Sequence, residues 1–165
     1  MRAIKHIIIL LSISLGLASC GIMVPRYAYI SNKPDLSEYN YVYITPTVEK
    51  TSVVGESYSD QFGEHSSTSS KSVTPSDVIA GYFMKRGFIR MPEIIESQRA
   101  RTLIVSYGEI GRKLRGLTFV TEVTVQLLDA GTYELICSLT AEGNGRTETD
   151  EVRKAIQKCL DAIFK

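Results

Sequence analysis

The 165-residue chain carries 19 Lys and Arg against 18 Asp and Glu, a formal net charge of +1, with 44% hydrophobic residues, two His, three Cys and no Trp. A balance so close to neutral offers no field to gather nucleic acid by counterion release, and the apolar fraction is too high for a disordered chain. So few histidines and cysteines leave little for a metal centre, and the composition describes one ordinary globular domain.

Arg2 and Lys5 stand ahead of an apolar run from Ile7 to Leu17, and the small residues Ala18 and Ser19 follow it, the three regions of a secretory signal. The run has 11 residues, whereas a membrane-spanning helix needs about 20. The stretch Leu17-Ala18-Ser19-Cys20 resembles the lipobox of bacterial lipoproteins. That resemblance implies cleavage before Cys20, acylation of its thiol and attachment to the membrane through the lipid. Each buried CH₂ of such a chain contributes about 0.8 kcal/mol, and two or more chains make a stable anchor. The alternative is simple secretion, with cleavage near Ala18 to Cys20. By the same resemblance, Gly21 in place of Asp after the cysteine implies the outer membrane. The absence of acidic residues from Gly21 to Pro25 implies the periplasmic side. Cleavage removes Arg2, Lys5 and His6, leaving 17 basic against 18 acidic residues and a net charge of −1.

Residues 1–19 are thus expected to be a lipoprotein signal peptide and 20–38 a lipidated tether. Pro25, Pro34, Asn32 and Asp35 break any period in that tether. A single α/β domain occupies 39–165. Tyr39-Asn40-Tyr41-Val42-Tyr43-Ile44 alternates as a strand, with the tyrosines on one face and Val42 and Ile44 on the other. About 47–73 lies a Ser-rich insertion, expected to be a flexible hairpin, a disordered segment or a partner-binding loop, because neither of its faces is apolar. Thr74-Pro75-Ser76-Asp77 starts a helix, Val78, Ile79, Tyr82 and Phe83 share one side of it, and Gly87 ends it. A short strand follows over 88–91, then a turn. Strands are expected over 102–110 and 117–127, with Leu117, Phe119, Val123, Val125 and Leu127 facing the core, and in a last strand whose inward face runs Tyr133, Leu135, Cys137, Leu139 and Ala141. Gly111 to Gly116 and Asp129 to Thr132 read as hairpin turns, which makes these strands an antiparallel meander. Thr147 caps a final helix whose apolar stripe is Val152, Ala155, Ile156, Cys159, Leu160 and Ile163.

The expected fold is therefore α+β, a two-layer α/β sandwich in which two long helices cover one face of a four- or five-stranded mixed sheet. No catalytic constellation emerges. His65, the sole histidine after cleavage, sits in the Ser-rich segment and lacks a triad setting, and Cys137, Cys159 and His65 lack the short ligand spacings of zinc sites. No cofactor, metal or catalytic residue is therefore assigned. Cys137 and Cys159 lie at similar depth on a strand and a helix, so they are either a disulfide pair or two free core thiols. Arg112, Lys113 and Arg115 form the one basic cluster, able to contact an anionic partner or simply to be a solvated turn.

The phrases Lys85-Arg86-Gly87-Phe88, Leu103-Ile104-Val105 and Leu127-Leu128-Asp129-Ala130-Gly131-Thr132-Tyr133-Glu134-Leu135-Ile136 resemble those of a widespread group of bacterial periplasmic lipoproteins of unknown function. The chain departs from that pattern at Ala100-Arg101-Thr102 and Gly131-Thr132-Tyr133. The architecture is also similar to lipoprotein activators of penicillin-binding proteins and to curli-secretion lipoproteins. Fold analogy does not transfer function; the scarcity of catalytic groups points to a non-catalytic envelope role, binding a protein or glycan partner, and the near-neutral charge to no nucleic acid. Membership of a larger envelope or secretion assembly and a carboxylate-dependent hydrolase are the alternatives.

Overall fold

A computed structural model of the chain describes residues 34–164 with the exception of Phe62. The signal peptide, Cys20 and the tether up to residue 33 lie outside the described residues. Strand β1 (Tyr41–Ile44) is followed by an antiparallel hairpin of β2 (Lys50–Asp60) and β3 (Gly63–Val73), then helix α1 (Pro75–Met84) and the short strand β4 (Ile89–Met91). A 3₁₀ turn, Glu96–Arg101, leads into β5 (Thr102–Arg115), β6 (Thr118–Asp129) and β7 (Leu135–Asn144), and helix α2 (Glu148–Phe164) closes the fold. The main sheet runs β4-β1-β5-β6-β7, with β1 parallel to both of its neighbours and β5, β6 and β7 an antiparallel meander.

The chain is an α+β fold, a five-stranded mixed sheet with both helices on one face. Val42 and Ile44 of β1, Leu103 and Val105 of β5, Val123, Val125 and Leu127 of β6, and Cys137, Leu139 and Ala141 of β7 turn to the same side. There they meet Ile79 and Phe83 of α1 and the Val152-to-Ile163 stripe of α2. Phe83 stands edge-on to Phe88 and Phe164, which ties the two helices and the approach to β4 together. Thr147 caps α2 as expected, its Oγ1 accepting from the Asp150 amide at 3.2 Å. Thr74 stands at the N-cap of α1 with Pro75 beside it but makes no side-chain cap bond. Instead the Thr47 hydroxyl accepts from the Ser76 amide at 2.9 Å.

Of the alternatives for the Ser-rich insertion, the hairpin is the one present, paired from Lys50 opposite Val73 to Asp60 opposite Gly63. Two expectations need correction. The turn expected over 111–116 is strand instead. β5 runs on to Arg115 through a bulge between Glu109 and Gly111, and the connection is the two-residue turn Gly116-Leu117. Gly116 has φ +61° at the first central position, as a hairpin turn matched to strand twist requires. Finally, Leu117, Phe119, Tyr133 and Leu135 are exposed although their parity points inward. The β5–β6 hairpin outruns the helices at one end of the sheet, and at the other Tyr133 and Leu135 point outward although Ala130 of the same turn is buried.

Candidate functional site

The feature that sets this domain apart is the outlying part of the β5–β6 hairpin. β1 accompanies β5 only to Val105, whose carbonyl accepts from the Thr45 amide at 3.0 Å. Beyond that point β5 pairs with β6 alone among the described residues. This overhang carries Ile110 at 63% exposure, Leu114 at 61%, Leu117 at 101% and Phe119 at 48%. Exposed apolar side chains scattered singly are ordinary, but here Leu114 and Phe119 stand directly opposite one another next to the Leu117 turn, with Ile110 at the bulge, a concentration of the kind that marks an interaction site.

The three basic residues singled out from the sequence are all on this hairpin, and each is engaged within the chain. Arg112 grips Glu151 with two bonds, 3.0 Å from Nε and 2.9 Å from the guanidinium terminus. Glu151 is fully buried in the first turn of α2, and Thr121 Oγ1 donates to it at 2.8 Å. The Arg112 guanidinium also lies over the Phe119 ring, 4.4 Å from its centroid. Those bonds to Glu151 hold Arg112 above its ordinary pKa. On the opposite face of the sheet, Lys113 pairs with Glu122 and, at 2.9 Å, with Glu142, while Arg115 reaches Glu142 at 2.7 Å. The carboxylates bonded to Lys113 raise its pKa in turn. These charges fix the hairpin to α2 and to β7, so their first role is architectural.

A second polar group joins the hairpin to β2. Lys50 Nζ bridges Glu109 at 2.5 Å and Glu148 at 2.8 Å, and Tyr107 donates to Glu109. Burial alone would lower the Lys50 pKa, but its bonds to Glu109 and Glu148 outweigh that and raise it. Burial, together with the Glu109 carboxylate, raises the Tyr107 phenol far above its ordinary range. Next to this group, a cleft of about 510 Å³ opens between residues 51–55 of β2 and Arg112, Arg146, Thr147 and Glu148. Arg146 projects into solvent at its rim, 4.0 Å from Glu56.

The tyrosine stripe of β1 divides by role. Tyr41 and Tyr43 are half-buried on the face away from the helices, whereas Tyr39 donates to Asp129 at 2.7 Å. That bond, with amide donors from the 131–132 turn, holds Asp129 below its ordinary pKa, while burial and the Asp129 partner push Tyr39 up to about 12. Cys137 and Cys159 are free and buried. Cys159 Sγ rests 3.6 Å from the Leu139 carbonyl. Burial raises both thiols, Cys137 to about 11 and Cys159 to about 12. No group of three or more His, Cys, Asp or Glu among the described residues could hold a metal ion. Cys20 lies outside the described residues.

Sequence reasoning brought Arg112, Lys113 and Arg115 together but missed their partners Glu151, Glu142 and Glu122, and with them the patch at Ile110 and Leu114. The signal available was parity: a bulge or turn must fall somewhere among the glycines 108, 111 and 116, and its position decides which side chains face α2.

No protein-family profile matches the chain, and no curated protein matches it by sequence. Among solved structures, the fold is similar to that of the PelC dodecamer from Paraburkholderia phytofirmans, at 18% identity and a TM-score of 0.52. The likeness covers 85% of this chain and 98% of that one. A single-substitution variant of the same dodecamer gives 17% identity and a TM-score of 0.48 over 85% of this chain and 95% of that one. At such identity the likeness concerns the fold alone.

Proposed function

We propose that this chain is a lipid-anchored envelope protein, held through Cys20 at the outer membrane on the periplasmic side, and that it works without catalysis as a binding subunit of an assembly. One observation carries the reading: the exposed apolar residues Ile110, Leu114, Leu117 and Phe119 gather on a hairpin that reaches beyond the rest of the sheet. A monomer gains nothing from such a patch, whereas a subunit buries it. The fold it shares with a protein that forms a dodecamer supports the same reading.

A glycan partner is the second reading. It is favoured by the cleft between β2 and Arg146, whose hydroxyls, guanidinium groups and carboxylate suit a polyhydroxylated ligand. The hydrolase alternative has the least support, because Glu122 and Glu142 on the open sheet face are each paired to a basic side chain of the hairpin.

The test is a photo-crosslinking residue in place of Leu117 in whole cells, with one in place of Glu93 as a control. The assembly reading expects a discrete higher-mass adduct from position 117 alone. Only monomer from both positions would defeat it. The anchor is tested separately by Cys20→Ala, which should abolish incorporation of labelled fatty acid; persistent labelling would overturn that part.

A further inference from the structure

The overhanging length of β5 has an unusual internal symmetry along its bare edge. Since the Val105 carbonyl faces β1, alternation turns the backbone groups of Tyr107 and Glu109 to the same outer side. The bulge between Glu109 and Gly111 then shifts the phase by one residue. Counting back from the turn gives the same answer: a two-residue loop closes on a hydrogen-bonded Arg115–Thr118 pair, so Leu114 and Arg112 face outward. The outward positions are therefore Tyr107, Glu109, Arg112 and Leu114, and they are symmetric about the midpoint between Ile110 and Gly111. Without the bulge, the outward set would be odd-numbered throughout and would not pair Glu109 with Arg112.

We propose that two copies of this chain pair antiparallel along the bare edge of β5, residues 106–115, about a two-fold axis between Ile110 and Gly111. In that register Glu109 stands opposite the second copy's Arg112 and Tyr107 opposite the second copy's Leu114, each contact made twice. Opposite charges face one another across the pair while each keeps its partner within the chain, Lys50 for Glu109 and Glu151 for Arg112, and the Tyr107 ring meets Leu114, as cross-strand neighbours in an antiparallel ladder do. The segment is self-complementary, which is the condition for a two-fold interface, the commonest symmetry of soluble oligomers. Backbone groups that β1 leaves unpaired find partners, and Ile110 and Leu114 lose their exposure. The other long edge, β7, is less suited to this, because Lys158 Nζ lies against it and donates to the Glu142 carbonyl at 2.7 Å. The inference rests on the assembly reading and gives that reading a specific contact.

The register places residue 110 of one copy diagonally across from residue 110 of the other, within the Cα spacing of about 4.4–6.8 Å that a disulfide spans. Full-length Ile110→Cys in mild detergent extracts should therefore convert under mild oxidation to a disulfide-linked dimer on a non-reducing gel. Leu117→Cys, more exposed than Ile110 but at the far end of the hairpin, should stay single. Cys137 and Cys159 are buried and do not interfere. Leu114→Pro removes an outward N–H without touching a β5–β6 bond, and should halve the native mass of the assembly or weaken the dimer tenfold or more. An oligomeric wild type in which Ile110→Cys fails to crosslink, or crosslinks no better than Leu117→Cys, overturns this pairing and leaves the assembly reading standing. A wild type that is a single copy at tens of micromolar overturns both.

Discussion

Gly143 offers the sharpest test of how the hairpin layer and α2 are held together. It lies in β7, directly under the first turns of α2. A Cβ at this position would stand 2.7 Å from the Ala155 amide nitrogen and closer still to the Glu151 carbonyl oxygen. Both obstacles are helix backbone, which cannot rotate aside as a side chain can. Gly143→Ala must therefore lift the N-terminal half of α2 from the sheet, and with it the carboxylate that Arg112 and Thr121 hold. Overpacking of this kind costs about 1–3 kcal/mol and occasionally more, and the loosened Glu151 contact places this case near 3 kcal/mol. At about 4 °C per kcal/mol for a domain of this size, Tm should fall by about 12 °C. The control is Gly55→Ala in β2, where a Cβ meets nothing within 4 Å. Thermal unfolding followed by circular dichroism reads both. A Gly143→Ala protein melting within about 2 °C of wild type would refute the packing argument.

Further predictions concern the charges and thiols. Arg112→Ala strands the buried Glu151 carboxylate and should lower stability by about 3 kcal/mol in urea titration, the lower end of the cost of breaking a buried pair, since Arg112 itself is partly exposed; a loss under 1 kcal/mol would show that the pair is not structural. Because Tyr39 titrates near 12 in the fold against an ordinary 10.0, its contribution is complete below pH 10 and lost as pH rises toward 12. Tyr39→Phe should flatten that alkaline limb, and it should also reduce the loss below pH 4 that arises as the depressed Asp129 carboxyl is protonated. An unchanged limb at both ends would contradict the Tyr39–Asp129 bond. Native protein at pH 8 should leave Cys137 and Cys159 unalkylated over minutes, and denatured protein should expose both; rapid reaction in the native state would show that the α2–β7 interface opens.

What the sequence made legible was whatever a single element encodes alone. The period of two in β6 places Val123, Val125 and Leu127 on the core, and the helical stripe from Val152 to Ile163 lays α2 on the same face. The β2–β3 hairpin was harder to read because serine and threonine on both of its faces leave no apolar alternation to detect. Parity also misled at Leu117 and Phe119: alternation tells which face a side chain shares, but not whether a helix extends far enough to cover it. α2 begins opposite Thr121, so residues nearer the turn have no layer above them. The basic cluster was visible as charge, but its meaning depended on Glu151 and Glu142, brought beside it only by the fold. Nothing in local sequence marks such a distant contact.

The central claim is that this chain functions as a subunit, and the native mass of the full-length protein in mild detergent tests it most directly. The expected result is an even multiple of the protomer mass that persists through dilution into the low micromolar range. A single protomer mass across that range, with Leu117 and Ile110 freely accessible to solvent, would contradict the account.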